Sequence, residues 1–427
     1  MNYFRQIYYE MCHQKMMTWV SISGTALAIF LIMAIFMGNK MKVVSIAPVS
    51  ERDRILTGQS IDVLHEKGSS SGTGLNADLA KRLYSDLNGV ERMSCVGILY
   101  GVVDLGVKEG EVLSFEALAV DDEYWKIYDY NFISGKPFDH EEVESAVKLV
   151  VLTESAARKI FGEENVTGRI LDIDNSPYTV KGVVKDFFPL LPDGNIKVFM
   201  TYDSKAGIED RYFGKTNVRL LLEKGVDIEN IKRQVAKRYE DLNREICKEG
   251  YSLIYHEQPY TSEEMALGNF GSNNSPEIKY IHRLWIFIYG ILLLLPAINL
   301  SSMTRSRLKH RISEIGVRRA FGAKKHSIIF QIFIENFLMT LVGGIIGLSL
   351  SLLFFAFLSD YFFTAGDIFS RLDYSAEDIR KVIWNIFNWS TFFIALGACF
   401  VLNLFSATIP AWKATRVSPA LAIAKSQ

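Results

Sequence analysis

The sequence predicts a membrane protein with four transmembrane helices and one large α+β domain outside the cytoplasm, placed between the first and second helices. Three observations predict this fold class. Long apolar segments stand apart from one polar block of ordinary composition. The loop between the second and third segments is basic, whereas the loop between the third and fourth is acidic. The mean hydropathy of the 427 residues, +0.13, fits a mixture of membrane helices and a soluble domain.

The apolar segments are each long enough to cross a bilayer, which takes about 20 residues. They span residues 17–38, 283–303, 328–358 and 389–411. The first segment starts after residues 1–16 and is too long for the apolar region of a signal peptide, so we expect it to remain as a membrane helix. The third segment exceeds one bilayer thickness and should tilt or project from the membrane. Soluble cores seldom contain runs of this length, which makes a buried core helix the weaker alternative.

Charge asymmetry predicts the orientation of these helices. The 304–327 loop carries many basic residues and a single acid, so the positive-inside rule places it in the cytoplasm. Acids outnumber bases in the 359–388 loop, which places that loop outside. With four crossings, residues 1–16 and the 412–427 tail are both cytoplasmic. The same topology places residues 39–282 outside the cytoplasm.

The polar block is predicted to be a mixed α/β domain, because helical and strand patterns alternate along it. The predicted elements are a helix over 76–87, a strand over 147–152, a helix over 153–161, strands over 169–173 and 178–184 joined by a turn at 174–177, and a helix over 228–242. Asn76 and Thr153 are candidate N-caps, and Gly162 is expected to end the second helix. Residues 67–74 are expected to form a flexible loop, and residues 261–277 a polar stretch leading back to the membrane.

Several classes of function find no support in this sequence. The net charge of -1 gives no basic field for binding a nucleic acid. No GxxxxGK[ST] phosphate-binding loop occurs, so we expect the chain not to be the ATPase itself. No HExxH motif, GxSxG motif or paired-cysteine metal site occurs, which leaves no support for catalysis, a metal or a bound cofactor. Cys95 and Cys247 both lie in the polar block, and a disulfide between them stays open.

The basic 304–327 loop contains the most informative segment for a partner interaction. Its apolar residues suit a short amphipathic helix at the membrane surface. They are Ile312, Ile315, Val317, Ala320 and Phe321. Gly322 permits a sharp stop between this helix and the next one. The basic residues would then face lipid headgroups or an acidic groove of a partner, and a positive-inside loop without any partner is the alternative.

Small and polar residues inside the apolar segments are predicted to pack helices together. Glu335 lies near the cytoplasmic end of the third segment, where an ionised carboxylate should face protein or water. Gly343, Gly344 and Gly347 form a small-residue face suited to close helix contact. Asn299 of the second segment can hydrogen-bond across such an interface. We favour structural packing over a direct substrate role for these residues.

Residues 313–351 closely resemble the signature of FtsX-like and MacB-like ABC permeases, which is an EIG(V/I)R(R/K)A(L/I)GA turn, a membrane-entering Glu and a GGxxG. The matching residues are Glu314, Ile315, Gly316, Arg318, Ala320, Gly322, Ala323, Glu335, Gly343, Gly344 and Gly347. Phe321 stands where Leu or Ile is more usual, and Asn299 matches an asparagine common in the preceding helix. Residues 410–424 resemble the family's PAxxAxxxxPxxALR ending without its usual final Arg, which leaves the contact of that end open.

Three segments of the polar block, 132–138, 150–162 and 168–187, resemble the MacB-like periplasmic core. The resemblance implies a multi-pass protein of the cell inner membrane with a periplasmic domain of two subdomains, assembled as a dimer of identical or related chains. It also implies a separate cytoplasmic ABC ATPase that binds ATP and Mg²⁺, while this chain binds no cofactor. The residues implied to couple to the ATPase are Arg311, Glu314, Ile315, Gly316, Arg318, Arg319, Phe321, Gly322 and Ala323. A periplasmic adaptor and an outer-membrane factor are further implied partners.

The predicted function is that of an ABC transporter permease. ATP binding by the partner would move the 311–326 helix, and the membrane helices would carry this motion to the outer domain, which drives export of a substrate. One alternative is an FtsX-type regulator of a cell-wall hydrolase in division, a role for which the 39–282 domain is larger than usual. A second is a membrane-anchored ligand sensor, for which the cytoplasmic parts are too short to hold an output domain. The substrate stays open.

Overall fold

Long apolar helices and a sheet-rich region divide this chain into two units. The computed structural model describes residues 15–41, 43, 45–59, 61–65, 70–97, 102–106, 112–187, 193–203, 213–267, 278–310, 317–318, 321–364 and 383–416. The helical unit lies within Met1–Met41, Lys279–Asp360 and Tyr374–Gln427. The sheet unit lies within Lys42–Ile278 and Tyr361–Asp373.

The helices follow the apolar and amphipathic patterns of the sequence. Over the described residues they are α1 Lys15–Met41, α2 Ala77–Tyr84, α3 Tyr124–Ile127, α4 His140–Glu144, α5 Glu154–Phe161, α6 Ile228–Ile246, α7 Ser262–Leu267, α8 Ile278–His310, α9 Lys325–Thr364 and α10 Trp389–Arg416. Short 3-10 helices cover Arg52–Arg54 and Cys247–Glu249. The four apolar segments of the sequence fall within α1, α8, α9 and α10.

Two helices of the described chain, Lys15–Lys40 and Lys325–Phe357, are long and apolar enough to cross a membrane. Trp389–Phe405 forms a shorter apolar helix. Many large apolar side chains of the helical unit are exposed to the surroundings, including Ile286 at 71 % and Phe357 at 79 %. Such side chains suit a lipid environment. The count of four crossings and the segment boundaries stay predictions.

The sheet unit contains one 15-stranded sheet over the described residues. Its strands are β1 Ile55–Gly58, β2 Ile61–His65, β3 Ser70–Leu75, β4 Val90–Gly97, β5 Val102–Gly106, β6 Val112–Val120, β7 Phe132–Gly135, β8 Leu149–Thr153, β9 Ile170–Ile173, β10 Ser176–Val184, β11 Val198–Thr201, β12 Phe213–Gly214, β13 Thr216–Leu222, β14 Tyr251–Ile254 and β15 Tyr260–Thr261. The strands β6, β11, β8, β10, β9 and β5 pair in that order, and β5 pairs again with β6, so these strands close into a ring. From β6 the sheet continues through β4, β13, β3, β2 and β14.

Two hydrophobic cores lie in the sheet unit. Core A includes Leu79 and Leu83 of α2, Ile231 and Val235 of α6, and Val218, Leu220 and Leu222 of β13. Core B includes Val150 and Leu152 of β8, Ala156 and Ile160 of α5, Val183 of β10 and Val198 of β11. The i,i+4 spacing within α2, α5 and α6 aligns one apolar face of each helix against the strands. Burial of each large aliphatic side chain contributes roughly 1.5–3 kcal/mol.

The helix caps predicted in the sheet unit are confirmed. The side chain of Asn76 accepts a hydrogen bond from the Leu79 N–H at 2.7 Å. Thr153 Oγ1 accepts from the Ala156 N–H at 3.4 Å, at the start of α5. Gly162 ends α5 with φ +78°, a left-handed conformation that costs glycine little.

The flexible loop predicted over residues 67–74 is wrong for its second part. Ser70–Leu75 forms β3 and pairs antiparallel with β2, with Thr73 opposite Ile61. Strand pairing uses main-chain N–H and C=O groups, so available neighbouring strands override the weak β propensity of a Gly- and Ser-rich run. Residues 67–69 lie outside the described part of the chain.

Other boundaries shift for local reasons. The turn predicted over 174–177 is tighter, because Asp174 and Asn175 adopt positive φ values of +48° and +61° and β10 begins immediately afterwards. The helix predicted over 228–242 continues to Ile246, which is buried in core A. The polar stretch predicted from residue 261 includes α7, and residues 268–277 lie outside the description.

The disulfide left open by the sequence does not form in the structure. Cys95 and Cys247 are both free thiols. Cys95 is buried in β4, whereas Cys247 is exposed in a 3-10 turn after α6. Burial raises the pKa of the Cys95 thiol to about 12, which keeps it protonated and unreactive.

Candidate functional site

A tight turn precedes α9 in the loop that the sequence singles out. Gly322 has φ +89°, a value that favours glycine. The Phe321 N–H donates to the Val317 carbonyl at 3.1 Å, and the Ala323 N–H donates to the Arg318 carbonyl at 3.0 Å. These two bonds end the preceding helical turn as a left-handed cap does, so the chain reverses direction before α9 begins. We call residues 317–318 and 321–324 the coupling turn.

The coupling turn presents an apolar side chain at its tip. Phe321 is 88 % exposed and Val317 is 42 % exposed. Lys324, Lys325 and His326 are exposed beside them. A large exposed aromatic group with basic neighbours is suited to an apolar pocket that has an acidic rim. The other residues predicted to couple, Arg311, Glu314, Ile315, Gly316 and Arg319, lie outside the described residues.

Arg318 differs from its exposed neighbours because its side chain turns back onto α9. The Arg318 Nη1 donates to Gln331 Oε1 at 3.1 Å. Gln331 is only 7 % exposed, and it lies at the start of a buried stripe along α9. The sequence placed Arg318 among the residues that couple to a partner, but its bond to Gln331 was not visible from the sequence pattern.

One stripe of α9 is buried at every fourth residue. The stripe consists of Gln331, Glu335, Met339, Gly343, Gly347 and Ser351. Neighbouring residues four apart lie nearly above one another, so this stripe winds slowly around α9 and is covered by protein along its length. Glu335 is 6 % exposed and therefore faces protein, as the sequence predicts for an acid in an apolar segment.

Two glycines of that stripe allow α9 to approach α1 closely. A Cβ atom at Gly343 would lie 2.9 Å from Thr25 Cβ and 3.0 Å from the Ile22 carbonyl oxygen. A Cβ atom at Gly347 would lie 2.5 Å from the Ala26 carbonyl oxygen. Real Cβ atoms do not approach backbone so closely, so this packing requires glycine.

The adjacent stripe of α9 packs against α10. A Cβ atom at Gly344 would clash with the Leu396 side chain. Asn403 Nδ2 of α10 donates to Thr340 Oγ1 at 3.0 Å, and Thr340 Oγ1 donates to the Asn336 carbonyl at 2.9 Å. All three of these polar residues are at most 2 % exposed. Polar side chains that pair inside an apolar bundle hold helices in one register.

Asn336, Thr340 and Asn403 were not selected from the sequence. The sequence signal that could have identified them is a single polar residue within a long apolar run, because such residues rarely face lipid. Asn299, which was selected, lies within α8, and its side chain is not among those described.

The sheet unit contains a second buried polar cluster, on the face of β13 that points away from core A. Val218 and Leu220 face core A, so the alternating Asn217 and Arg219 face the other side. Arg219 Nη2 lies 3.3 Å from Asp193 Oδ1, with 9 % and 16 % of the two side chains exposed. Burial alone would lower the pKa of Arg219, but Asp193 and Tyr128 more than offset this and raise it above its ordinary value.

Asp121 lies in the loop after β6 and forms hydrogen bonds with three groups. Its carboxylate accepts hydrogen bonds from the Ser94 hydroxyl at 2.6 Å, from the Cys95 N–H at 2.6 Å and from the Tyr124 N–H at 3.0 Å. Burial raises the pKa of Asp121 to about 6, and these three bonds limit the rise. Over the described residues, no cluster of three or more His, Cys, Asp or Glu side chains could hold a metal ion.

Comparison with known families covers both units. A family described as MacB-like periplasmic core domain matches residues 18–238, a little over half of the chain. A family described as FtsX-like permease C-terminal matches residues 286–419. The chain belongs to the MacB/FtsX-like family of ABC transporter permeases. Members of this family are inner-membrane proteins with a periplasmic domain, and the α+β sheet unit corresponds to that domain.

Individual relatives are distant. The chain is 22 % identical to the macrolide export ATP-binding/permease protein MacB of Salmonella paratyphi A, over 97 % of this chain and 59 % of the relative. It is also 22 % identical to a MacB of Yersinia pestis bv. Antiqua, over 80 % of this chain and 50 % of the relative. The chain thus spans between half and three fifths of the length of these relatives.

Two solved structures are similar to part of this chain. The periplasmic region of MacB from Actinobacillus actinomycetemcomitans has a TM-score of 0.35 and 16 % identity, covering 48 % of this chain and 89 % of that one. A domain of a putative permease protein from Porphyromonas gingivalis has a TM-score of 0.36 and 17 % identity, covering 48 % of this chain and 90 % of that one.

Proposed function

We propose that this chain is the membrane subunit of an ABC transporter of the MacB type. It crosses the inner membrane four times, through α1, α8, α9 and α10, with both termini in the cytoplasm and residues 39–282 in the periplasm. The basic 304–327 loop and the acidic 359–388 loop support this orientation. The match to both family models, in one chain and in this order, supports the assignment to a transporter permease.

The proposed partners follow from the same assignment. A cytoplasmic ABC ATPase in a separate chain binds ATP and Mg²⁺, and a second permease copy, identical or related, completes the membrane part. A periplasmic adaptor and an outer-membrane factor are candidates for the outer side. This chain performs no chemistry itself, and its contribution is to convert motion of the ATPase into motion of the periplasmic domain.

The observation that carries this mechanism is the path from the coupling turn into α9. The Phe321 side chain is exposed on the surface of the helical unit, and the chain enters α9 directly after the Gly322 turn. The buried stripes of α9 pack closely on α1 and on α10. Because α1 continues in sequence into the periplasmic domain, a displacement of the turn can reach that domain through packed helices.

Affinity purification of the chain from native membranes tests the proposal. We expect an ABC ATPase to be retained, and we expect Phe321→Asp to release it, because a charge cannot enter an apolar pocket without a large desolvation cost. Ile170→Asp, at a 69 % exposed position of the sheet unit, is the matched control and should retain the ATPase. Absence of any ATPase from the wild-type sample would refute the permease assignment.

The same experiment separates the two other functions considered. Recovery of a peptidoglycan hydrolase together with the ATPase, without an adaptor, would favour an FtsX-type regulator of cell-wall cleavage. Recovery of a signalling protein without an ATPase would favour a ligand sensor. We rank the transporter first, because the 39–282 domain is larger than an FtsX-type regulator usually needs.

A further inference from the structure

We propose that Arg318 is a positioning residue that locks the coupling turn onto α9 through Gln331, and that contact with the partner falls to Phe321 instead. This inference rests on the proposed function, because it assigns separate tasks to two residues of the same turn. One residue transmits force within the chain, and the other binds the ATPase.

The geometry at Arg318 supports an internal role. Its guanidinium donates to the Gln331 side-chain carbonyl at 3.1 Å, across the Gly322 turn. Gln331 is 7 % exposed and is fixed within α9, so its carbonyl is an anchored acceptor. A hydrogen bond from a charged donor is stronger than one between neutral groups. The bond therefore joins the turn to the second turn of α9, in addition to the covalent connection.

The hydrogen bond to Arg318 accounts for the burial of the polar Gln331 side chain. Its amide nitrogen has no hydrogen-bond partner among the described groups, although it is fully buried. A buried polar group is tolerated when at least part of its hydrogen-bonding capacity is used. The contact with Arg318 supplies that use, so the buried Gln331 side chain depends on Arg318.

Phe321 has the opposite character. It is 88 % exposed, and its backbone N–H is held by the Val317 carbonyl, so the side chain is presented on a fixed base. The bond to Gln331 directs the Arg318 guanidinium onto α9, and the Arg318 side chain is only partly exposed, whereas Phe321 is open to a partner. The exposed positive charge for a partner is instead supplied by Lys324 and Lys325.

The mechanical consequence concerns transmission of motion. Glycine at position 322 gives the turn a backbone hinge, since its left-handed conformation has few steric limits. With the Arg318–Gln331 bond in place, the turn and α9 move together. Without the bond, the hinge can absorb the displacement, and ATPase closure would no longer move α9. Loss of the bond should therefore uncouple the transporter without releasing the ATPase.

The test measures binding and coupling separately in the full ATPase–permease complex. Binding is the amount of ATPase retained per permease. Coupling is the ATP-dependent change in distance between spin labels placed on the periplasmic domains of two permease copies. The variants are Arg318→Ala, Gln331→Leu, the double variant and Phe321→Asp. Monodispersity in size-exclusion chromatography confirms that each variant folds.

We expect Arg318→Ala and Gln331→Leu each to retain the ATPase. Each should lower the equilibrium constant for the ATP-dependent distance change about tenfold, the scale of one lost charge-assisted hydrogen bond. The double variant should lose no more than either single one, because both remove the same interaction. A further variant, Gln331→Glu, keeps the acceptor and should preserve coupling. Phe321→Asp should instead lose the ATPase.

Two outcomes would overturn the inference. If Arg318→Ala releases the ATPase as Phe321→Asp does, Arg318 contacts the partner. If the coupling losses of the two single variants add in the double variant, Arg318 and Gln331 act independently. Failure of the wild-type chain to retain an ATPase is a different result, since it would refute the proposed function rather than the role of Arg318.

Discussion

The helical unit and the sheet unit bury their polar groups by different means. In α9, buried polar and small residues recur at every fourth position, and several of them contact α1 or α10. In the sheet unit, the buried polar groups come from strands and loops distant in sequence, such as Arg219 and Asp193. Periodicity within one helix can be recognised in a sequence. Pairing between strands cannot, because it depends on the complete topology.

The substitution with the largest expected effect lies where α9 packs closely on α1. Gly347→Leu should abolish a folded helical unit, because its Cβ would lie 2.5 Å from the backbone oxygen of Ala26, which cannot move aside as a side chain can. The cost should exceed the roughly 1–3 kcal/mol typical of overpacking. The measurement is the yield of monodisperse protein and its thermal midpoint in detergent.

Gly397→Leu is the matched control for this substitution. Gly397 lies in α10, and a Cβ atom added there meets nothing within 4 Å. We expect normal yield and an unchanged or higher midpoint, because the added Cβ atom meets no neighbour and glycine is a poor helix former. Equal damage by the two substitutions would show that the contact with α1 does not depend on glycine.

The second largest effect on stability is expected in the sheet unit, at the buried ion pair of Arg219 and Asp193. Arg219→Met should destabilise the domain by about 3–5 kcal/mol, because it leaves Asp193 mostly buried without its partner. Arg233→Met is the control, since its ion pair with Asp227 spans 4.0 Å between side chains 74 % and 67 % exposed. The control should change stability by less than about 1 kcal/mol. Near-UV circular dichroism during heating compares the two, and similar midpoints would contradict the importance of the buried pair.

The sequence predicts the local features of both units better than their buried contacts. The caps at Asn76 and Thr153 and the Gly162 stop are local patterns, and the structure bears them out. The strand at residues 70–75 was missed, because its pairing comes from neighbouring strands.

The same limit applies to the candidate site. The Gly322 turn was recognisable from its residues, whereas the bond between Arg318 and Gln331 spans two elements. Asn336, Thr340 and Asn403 meet only because α9 and α10 pack together. Contacts of this kind depend on helix register, which residue types alone do not specify.

The smallest expected effect concerns pH and Asp121. Burial raises its pKa from the ordinary 3.8 to about 6 in the folded state. Between these two values the folded state binds more protons than the unfolded state, so stability decreases as the pH rises from about 4 to 6. The full stabilising contribution is present below about pH 4 and is lost above about pH 6. Its size is about 3 kcal/mol, at roughly 1.4 kcal/mol for each pKa unit between the two values.

Asp121→Asn isolates this contribution from all other titrating groups. The amide cannot ionise, so the difference in unfolding midpoint between the wild-type and variant chains should change between pH 4 and pH 7, with the wild type relatively more stable at the acidic end. A difference independent of pH would mean that the hydrogen bonds from Ser94, Cys95 and Tyr124 keep Asp121 ionised, with its pKa near the ordinary value. The sheet unit would then resemble the helical unit, in which buried polar groups are held mainly by their hydrogen-bond partners.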